Sequence, residues 1–343
     1  MRPKDIVLEQ IHHRETTPIP FTLWFEEGVV RRLDEHYGST EWRESIPPYV
    51  VWVTTINQDR ETSLDESHYR DDFGSVWSKA GRPFHLEKPA LQEPNFDNYE
   101  LPPADVFIDR ERGRRALRTC EANPDSFLVA GFFWGIFERS WAIRGMEQVF
   151  TDMIAEPDFY EELLDRVTDL QVEFVKVSLA LPVDGIMFAD DWGGQRGVLM
   201  GPKRWRHLIK PRVARLYQAA HDAGKLTLSH CCGNVADIMP DLIEVGLDVL
   251  ESVQPEAMDP YELKRKWGEK ITFWGGLGSQ TTIPFGTRES IFEEVERLCR
   301  EMARGGGYIL APAKSIQPDT SAENMAAVLE AFLEFTGHHG LAP

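Results

Sequence analysis

Cysteines and long apolar runs are both scarce in this sequence. Only four of its 343 residues are cysteines, and two of these are adjacent, which does not make a disulfide framework. No apolar run reaches the roughly 18 residues of a membrane helix, and the N-terminal residues have neither an apolar core nor a small-residue cleavage site. We therefore expect neither a membrane span nor a secretory signal, and a reduced, cytoplasmic setting.

Basic residues are also few. The sequence has 37 Lys and Arg residues against 56 Asp and Glu residues, a formal net charge of -19. Such a surface repels phosphate backbones, and no basic stripe interleaved with aromatic residues offsets it, so nucleic acid is not an expected partner. A highly anionic substrate would need a local cluster of arginines.

The sequence does contain a regular alternation of strand-like and helical segments. From residue 127 onward, each apolar run is followed by a helical segment that begins with Pro, Asn, Asp or Ser and ends in Gly. About eight such units in a chain of this length predict an α/β protein, a single-domain (β/α)8 TIM barrel over residues 1–343. Its predicted strands lie at 19–25, within 50–76, and at 127–131, 184–191, 225–230, 247–252, 271–276 and 308–313.

One segment breaks this alternation. Residues 75–91 have the sequence SVWSKAGRPFHLEKPAL, in which a turn-forming SKAG separates two apolar runs. We expect these runs to form a β-hairpin inserted in the N-terminal half of the barrel.

Polar residues at the carboxyl ends of the predicted strands are the candidate site, because barrel enzymes carry their chemistry on that face. His230 and Cys232 form an H-x-C pair in KLTLSHCCGNV, and residues two apart in a strand face the same side. Imidazole and thiolate are good zinc ligands, whereas Cys231 faces the opposite side and is predicted to be structural. A packed thiol beside a hydrogen-bonded histidine is the alternative interpretation.

Charged residues follow several of the same strands. Asp190 and Asp191, in FADDWGG, are candidates for a general acid or base, a metal ligand or a substrate acceptor, with helix capping or a salt bridge between loops as the alternative. Asp72, in YRDDFGSVW, either reaches the site from the N-terminal half or is a turn aspartate. Lys314 follows the last strand and could bind a substrate carboxylate, form a Schiff base or lie free on the surface.

Aromatic residues also crowd these strand ends. GFFWG and FWGGLG place aromatic rings beside glycines, which favours an apolar pocket for a flat or methylated ligand. The predicted substrate-binding residues are Trp24, Glu26, Phe132, Trp192, Gln254 and Trp274.

The sequence resembles the uroporphyrinogen decarboxylase superfamily, most clearly from residue 131 to the end. The motifs that carry the resemblance are, in order, DGIMFADDWG, HCCG, LDVLESVQPEAMD, GEKITFWGGLGSQTTIPFGT and GGGYILAPAKSIQPDTSAENM. The resemblance implies a TIM barrel with its site at the C-terminal face.

The decarboxylase branch of that superfamily matches this sequence poorly. True decarboxylases have an arginine-rich segment after the first strand that binds substrate propionates, whereas this sequence has LWFEEGVVRR, with Glu26 and Glu27. They also have a histidine after the last strand, where Lys314 stands here. A substrate with many carboxylates would be repelled by these glutamates on a protein of charge -19.

The corrinoid-linked methyltransferase branch matches better. Its thiol-methylating members bind zinc through H-x-C and a later cysteine; His230 and Cys232 match the first two ligands, and Lys314 stands at the third. The resemblance therefore implies either a zinc site completed by an oxygen ligand, Asp191 or Glu251, or no metal at all. It argues against a thiol acceptor, whose activation needs the metal.

The expected function is methyl transfer between a small methylated or methoxy compound and a cobalamin carried by a corrinoid protein, with zinc or an acidic residue polarising the leaving atom. A homodimer is a further candidate assembly. One alternative is a decarboxylase of a small carboxylated substrate, in which Asp72 or Asp190 stabilises the protonated intermediate and Lys314 anchors a carboxylate. The other alternative is a barrel that binds a small molecule without catalysis.

We predict that this protein does not turn over uroporphyrinogen, because Glu26 and Glu27 stand where propionate-binding arginines are expected. The measurement is anaerobic formation of coproporphyrinogen, with a true uroporphyrinogen decarboxylase as the positive control. Formation at about 1 per second or more, a rate typical of enzymes, would contradict the prediction.

Overall fold

A curled sheet of seven parallel strands lies at the centre of the protein, in a computed structural model that describes residues 1–26, 28–81 and 84–338. The strands are β1 (Val50–Val53), β2 (Glu61–Ser63), β3 (His68–Asp71), β4 (Val76–Ser78), β5 (His85–Lys88), β6 (Phe127–Phe132), β7 (Gly185–Ala189), β8 (Gly193–Gly194), β9 (Gly197–Val198), β10 (Leu226–His230), β11 (Val249–Val253), β12 (Thr272–Leu277) and β13 (Tyr308–Pro312). The central sheet has the order β1-β6-β7-β10-β11-β12-β13. Most of its strands are buried along their whole length, as expected for parallel strands covered on both faces.

An eighth segment, residues 20–26, continues the sheet beside β13. It forms parallel bridges from Phe21 to Leu310 and from Phe25 to Ile316. The first predicted strand is therefore present as two bridges rather than a continuous ladder. With this segment the predicted TIM barrel is confirmed.

Helices cover the outside of the barrel. They are α1 (Pro3–Ile11), α2 (Val29–Tyr37), α3 (Arg110–Ala122), α4 (Ile136–Arg144), α5 (Met146–Ala155), α6 (Pro157–Ser178), α7 (Pro202–Leu208), α8 (Lys210–His221), α9 (Met239–Glu244), α10 (Pro260–Trp267), α11 (Thr282–Phe285), α12 (Arg288–Met302) and α13 (Ala322–Phe335), with short 3-10 helices at Glu41–Ser45, Ala104–Phe107 and Ala236–Ile238. The break between α7 and α8 at Ile209 lies close to the kink that Pro211 predicts. Within the described residues, no helix combines the length and the apolar character needed to cross a membrane.

The insertion in the N-terminal half is larger than the predicted hairpin. β4 and β5 pair antiparallel, as the sequence predicts, but they belong to a four-stranded antiparallel sheet with the order β2-β3-β4-β5. The charged sequences of β2 and β3 lack the apolar alternation that identifies a strand. Near the β3–β4 turn, the Ser75 hydroxyl donates to the Ala142 carbonyl in α4 at 2.7 Å, which anchors this sheet to the barrel.

A buried ion pair fixes the helices that follow β6. The Arg144 guanidinium in α4 donates to Asp152 in α5 at 2.7 Å, and the two side chains are only 7% and 4% exposed. The same guanidinium donates to the carbonyl of Leu91, just beyond β5, at 3.3 Å. One buried cation therefore links α4, α5 and the end of the inserted sheet.

We predict that Asp152→Ala lowers the free energy of unfolding by about 3 kcal/mol or more, because it leaves the buried charge of Arg144 without its partner. Urea unfolding followed by circular dichroism measures the change. Asp169→Ala is the matched control, since Asp169 pairs with Arg215 at the exposed surface and its loss should cost less than about 1 kcal/mol. Equal destabilisation by the two substitutions would show that the buried ion pair contributes no more to the free energy of unfolding than the exposed one.

Candidate functional site

The carboxyl ends of the barrel strands surround a cavity of about 550 Å3. Five aromatic residues form much of its wall: Trp24, Trp52, Phe132, Phe133 and Trp134. The ionisable residues that line it are Asp59, Arg112, His230, Glu251 and Lys314. A largely apolar cavity with a few polar groups at this face of a barrel is the usual form of a small-molecule site. The structure therefore brings five of the predicted residues to one cavity: Trp24, Phe132, His230, Glu251 and Lys314.

His230, which lines this cavity, forms a cluster with Cys232 and Asp191, which lie behind it and are not among the described lining residues. β10 ends at His230, and Cys232 follows so that its Sγ lies 3.4 Å from His230 Nε2. Asp191 follows β7, and its Oδ1 lies 3.8 Å from the same nitrogen and accepts a 2.8 Å hydrogen bond from the Cys232 N–H. One ligand atom of each residue lies within 4.8 Å of the other two.

Glu251 holds the histidine ring from its other side. Its carboxylate, in β11, forms a short hydrogen bond with His230 Nδ1, and only 8% of its side chain is exposed. Burial by itself lowers the pKa of His230, but the charge of Glu251 and hydrogen bonds to Cys232 and Glu251 outweigh it, so the pKa lies above its ordinary value. The contact leaves Nε2 directed toward Cys232. The sequence predicts either Asp191 or Glu251 as the oxygen ligand of a metal. In the structure, the carboxylate within the cluster is that of Asp191.

The donor atoms of this cluster fit a zinc ion. Ligand atoms at about 2.0–2.3 Å from a tetrahedral zinc lie roughly 3.5 Å from one another. The separations of Cys232 Sγ and Asp191 Oδ1 from His230 Nε2 are 3.4 and 3.8 Å. Three donors and an open fourth position are the usual composition of a catalytic zinc site. Lys314 lines the same cavity but, as a cation, supplies no donor to a metal.

Cys231 lies on the opposite side of the chain, as the strand alternation predicts. It is fully buried, and the backbone N–H of Trp192 donates to its Sγ at 3.2 Å. Burial raises the pKa of this thiol well above its ordinary value, which makes it a poor metal ligand.

Asp190 lies beneath the cluster and caps a helix. Its carboxylate accepts hydrogen bonds from the backbone N–H groups of Phe137 and Glu138 in α4, at 2.9 and 2.8 Å, and from the Trp192 indole at 2.7 Å. Burial raises the pKa of Asp190, although these hydrogen bonds oppose the rise. Burial and the neighbouring Asp190 also raise the pKa of Glu138, a residue that the sequence does not single out. Asp190 thus takes the helix-capping role that the sequence leaves open, and Trp192 is its buried partner.

Two of the predicted acidic residues are not among the described residues that line the cavity. Asp72 pairs with Arg60 at 2.9 Å on the inserted sheet. The Glu26 carboxylate lies 3.4 Å from Gln317 Nε2 and is not among the described residues that line the cavity. Glu27 lies outside the described residues.

Trp274 and Gln254 support the site from within the fold. Trp274 is fully buried in the barrel, where its indole donates to the Thr22 hydroxyl at 2.9 Å. Gln254 accepts a 3.1 Å hydrogen bond from the N–H of Gly233, the residue after Cys232. Neither side chain belongs to the described cavity wall.

Sequence reasoning misses one wall of the cavity. Trp52, Gln58, Asp59 and Arg112 all line it. Gln58 is fixed by a 2.6 Å hydrogen bond to the Phe133 carbonyl, and Asp59 pairs with Arg112 at 3.3 Å. Of these four residues, only Trp52 could be found from the sequence, because it lies in the apolar run of β1. The other three lie in segments without a motif.

The fold and site together define an α/β barrel with a metal-ligand cluster beside an aromatic cavity at the carboxyl ends of its strands. The family model described as uroporphyrinogen decarboxylase (URO-D) matches residues 76–335. The chain therefore belongs to the uroporphyrinogen decarboxylase family, as its motifs predict.

Curated relatives include both a methyltransferase and decarboxylases. The methylcobamide:CoM methyltransferase MtaA of Methanosarcina barkeri is 28% identical over 182 residues, which cover 53% of this chain and 51% of that protein. The chain thus spans about half the length of this relative. A uroporphyrinogen decarboxylase of Streptomyces avermitilis is 22% identical over 336 residues, 91% of this chain and 90% of that protein. A solved structure of a methyltransferase from Methanosarcina mazei shares the fold over 98% of this chain and 99% of that chain, with a TM-score of 0.72 and 19% identity.

We predict that the purified protein carries a divalent metal, most of it zinc, at less than one ion per chain and held through His230 and Cys232. Occupancy is partial because one thiolate and a carboxylate form a weaker zinc site than two thiolates. Cys232→Ser should abolish the metal, and Cys231→Ser should retain it, since Cys231 is buried away from the cluster. Elemental analysis after purification without chelator and with added zinc is the measurement. Metal-free wild-type protein, or equal loss in both variants, would count against the site.

Proposed function

We propose that this protein transfers a methyl group from a small methylated or methoxy compound to the cobalt of a cobalamin carried by a partner protein. The observation that carries the proposal is the cluster of His230, Cys232 and Asp191, which reaches the aromatic cavity through His230. The similarity to a methylcobamide:CoM methyltransferase supports the same class of reaction. The corrinoid partner, the homodimer and the cytoplasmic setting stay predictions from the sequence.

Each part of the site has a role in such a transfer. His230, Cys232 and Asp191 would hold the zinc ion, which supplies a Lewis acid to polarise the atom from which the methyl group leaves. Glu251 would fix the orientation of the His230 ring through Nδ1. The aromatic wall would orient the substrate and exclude water, so that the protein positions and activates while the cobalt provides the nucleophile.

The cavity is unsuited to a porphyrinogen. Apart from His230, Arg112 and Lys314 are the basic side chains among its described lining residues, and Arg112 is already paired with Asp59. Recognition of several propionates requires several free arginines or lysines. This supports the view that the substrate is not a polycarboxylate.

Decarboxylation of a small substrate is less well supported than methyl transfer. That alternative assigns the stabilisation of the protonated intermediate to Asp72 or Asp190. Asp72 is paired with Arg60 on the inserted sheet, and Asp190 is buried as the cap of α4. Neither carboxylate belongs to the described cavity wall, so neither is placed to contact a substrate there.

We expect methyl transfer from one or more methoxy compounds to added cob(I)alamin, followed under anaerobic conditions by the change in cobalamin absorbance. His230→Ala should lower the rate on the order of 100-fold or more, since it removes a ligand of the cluster. Cys231→Ala is the control and should stay near the wild-type rate. Release of CO2 instead of methyl transfer would identify a decarboxylase, and binding without turnover would identify a non-catalytic barrel.

A further inference from the structure

The cavity is lined by four formally charged side chains apart from His230, and three of them have partners. Asp59 and Arg112 lie 3.3 Å apart. Glu251 shares a short hydrogen bond with His230. Lys314 forms neither an ion pair nor a hydrogen bond with any residue that the structure describes. Of these charges, only the Lys314 ammonium is left uncompensated.

The surroundings of Lys314 are suited to an anion. Lys314 follows β13, and Pro312 and Ser315 on either side of it line the same cavity. The Ser315 hydroxyl has no hydrogen-bond partner within the described part of the chain either. An ammonium and a hydroxyl that are neighbours in the chain can donate to the same carboxylate. On a protein with a net charge of -19, this ammonium is a local positive charge to which an anionic ligand can bind.

The aromatic wall is suited to a planar group. The rings of Trp24 and Trp52 meet edge to face with centroids 5.7 Å apart, and Phe133 lies nearly parallel to Trp52, at 15° and 6.3 Å. Faces of this kind hold a flat ring. They also attract a quaternary ammonium group. That ligand is disfavoured here because both carboxylates of the cavity are already paired and Lys314 repels a cation.

We infer that the cavity binds a planar monoanion, with its acidic group at Lys314 and Ser315 and its ring against Trp24, Trp52 and Phe133. One free ammonium matches one acidic group, and a second negative charge would find no partner among the described lining residues. The inference deepens the proposed function and rests on it in one respect, namely that the methyl group of the ligand lies toward His230, Cys232 and Asp191.

Isothermal titration with 4-methoxybenzoate and its neutral isostere 4-methoxybenzamide tests the inference without cobalamin. The wild-type protein should bind the benzoate at least about tenfold more tightly than the amide, since only the benzoate carries a negative charge that pairs with the Lys314 ammonium. Equal affinities, tighter binding of the amide, or tighter binding of the 4-methoxyphenyl trimethylammonium ion would overturn it. So would the absence of any binding at millimolar concentration.

Three variants locate the effect. Lys314→Gln should remove the preference for the benzoate while leaving the affinity for the amide unchanged, and Lys314→Arg should keep the preference. Lys270→Gln is the matched control, because Lys270 precedes β12 at the opposite end of the barrel and should not affect either ligand. A preference that survives in Lys314→Gln would refute the assignment of the acidic group.

The outcome is separable from that of the proposed function. Binding of the benzoate that depends on Lys314, without methyl transfer to cob(I)alamin, would support the anion site and contradict the methyltransferase. Methyl transfer that is equally fast from the neutral amide and does not depend on Lys314 would support the methyltransferase and contradict the anion site.

Discussion

Close contact between the loops that follow β6, β7 and β10 is the constraint on which the candidate site depends. Asp190 caps α4 across this contact, and a Cβ atom added to Gly135 would lie 2.2 Å from the Asp190 Cβ. A Cβ atom added to Gly233 would lie 2.5 Å from the Gly193 carbonyl carbon. Side chains cannot be accommodated at these distances, so glycine is required at both positions. The packing of these glycines places Cys232, the neighbour of Gly233, against the loop after β7.

At the same contact, the Asp191 carboxylate interacts with both Cys232 and His230. Its Oδ1 accepts the Cys232 N–H at 2.8 Å, which fixes the loop after β10, and it lies 3.8 Å from His230 Nε2. Glu251 approaches the ring from β11 at Nδ1. The imidazole is therefore held between carboxylates from the two neighbouring strands, one on each nitrogen. This arrangement sets both the direction of Nε2 and the position of the thiol beside it.

The barrel itself could be predicted from the sequence because its strands are covered on both faces. Such strands are continuous apolar runs, and their alternation with helices has few other solutions. The first segment was predicted from its apolar run, whereas β2 and β3 were not, because their short, charged sequences leave no apolar period. The strand-end rule likewise selected His230, Glu251 and Lys314, which line the cavity in the structure, since it depends only on where a strand stops.

The strand-end rule does not predict which way each side chain points. Asp190 and Asp191 are adjacent and follow the same strand, yet one turns inward because the first turn of α4 needs a hydrogen-bond acceptor, and the other turns toward His230. Asp71 and Asp72 repeat this division: Asp71 accepts the Trp77 indole at 2.9 Å inside the inserted sheet, while Asp72 faces outward. In the missed wall, Trp52, Gln58 and Asp59 are close in the chain, whereas Arg112 comes from α3, and its pairing with Asp59 depends on tertiary packing.

Position 314 has a lysine, where the resemblance implies a cysteine as the third metal ligand. This exchange of an anionic ligand for a cation has two consequences. A zinc ion is neutralised by two anionic ligands, and the pair Cys232 and Asp191 supplies them without a second thiolate. An oxygen donor in place of a second sulfur would make the ligand set of a bound metal harder, which would suit a substrate whose methyl group leaves from oxygen better than a thiol. With Cys232 and Asp191 as its anionic donors, such a metal would need no ligand from residue 314. The ammonium is then free to face the cavity, where it supplies the positive charge that an otherwise paired and apolar wall lacks.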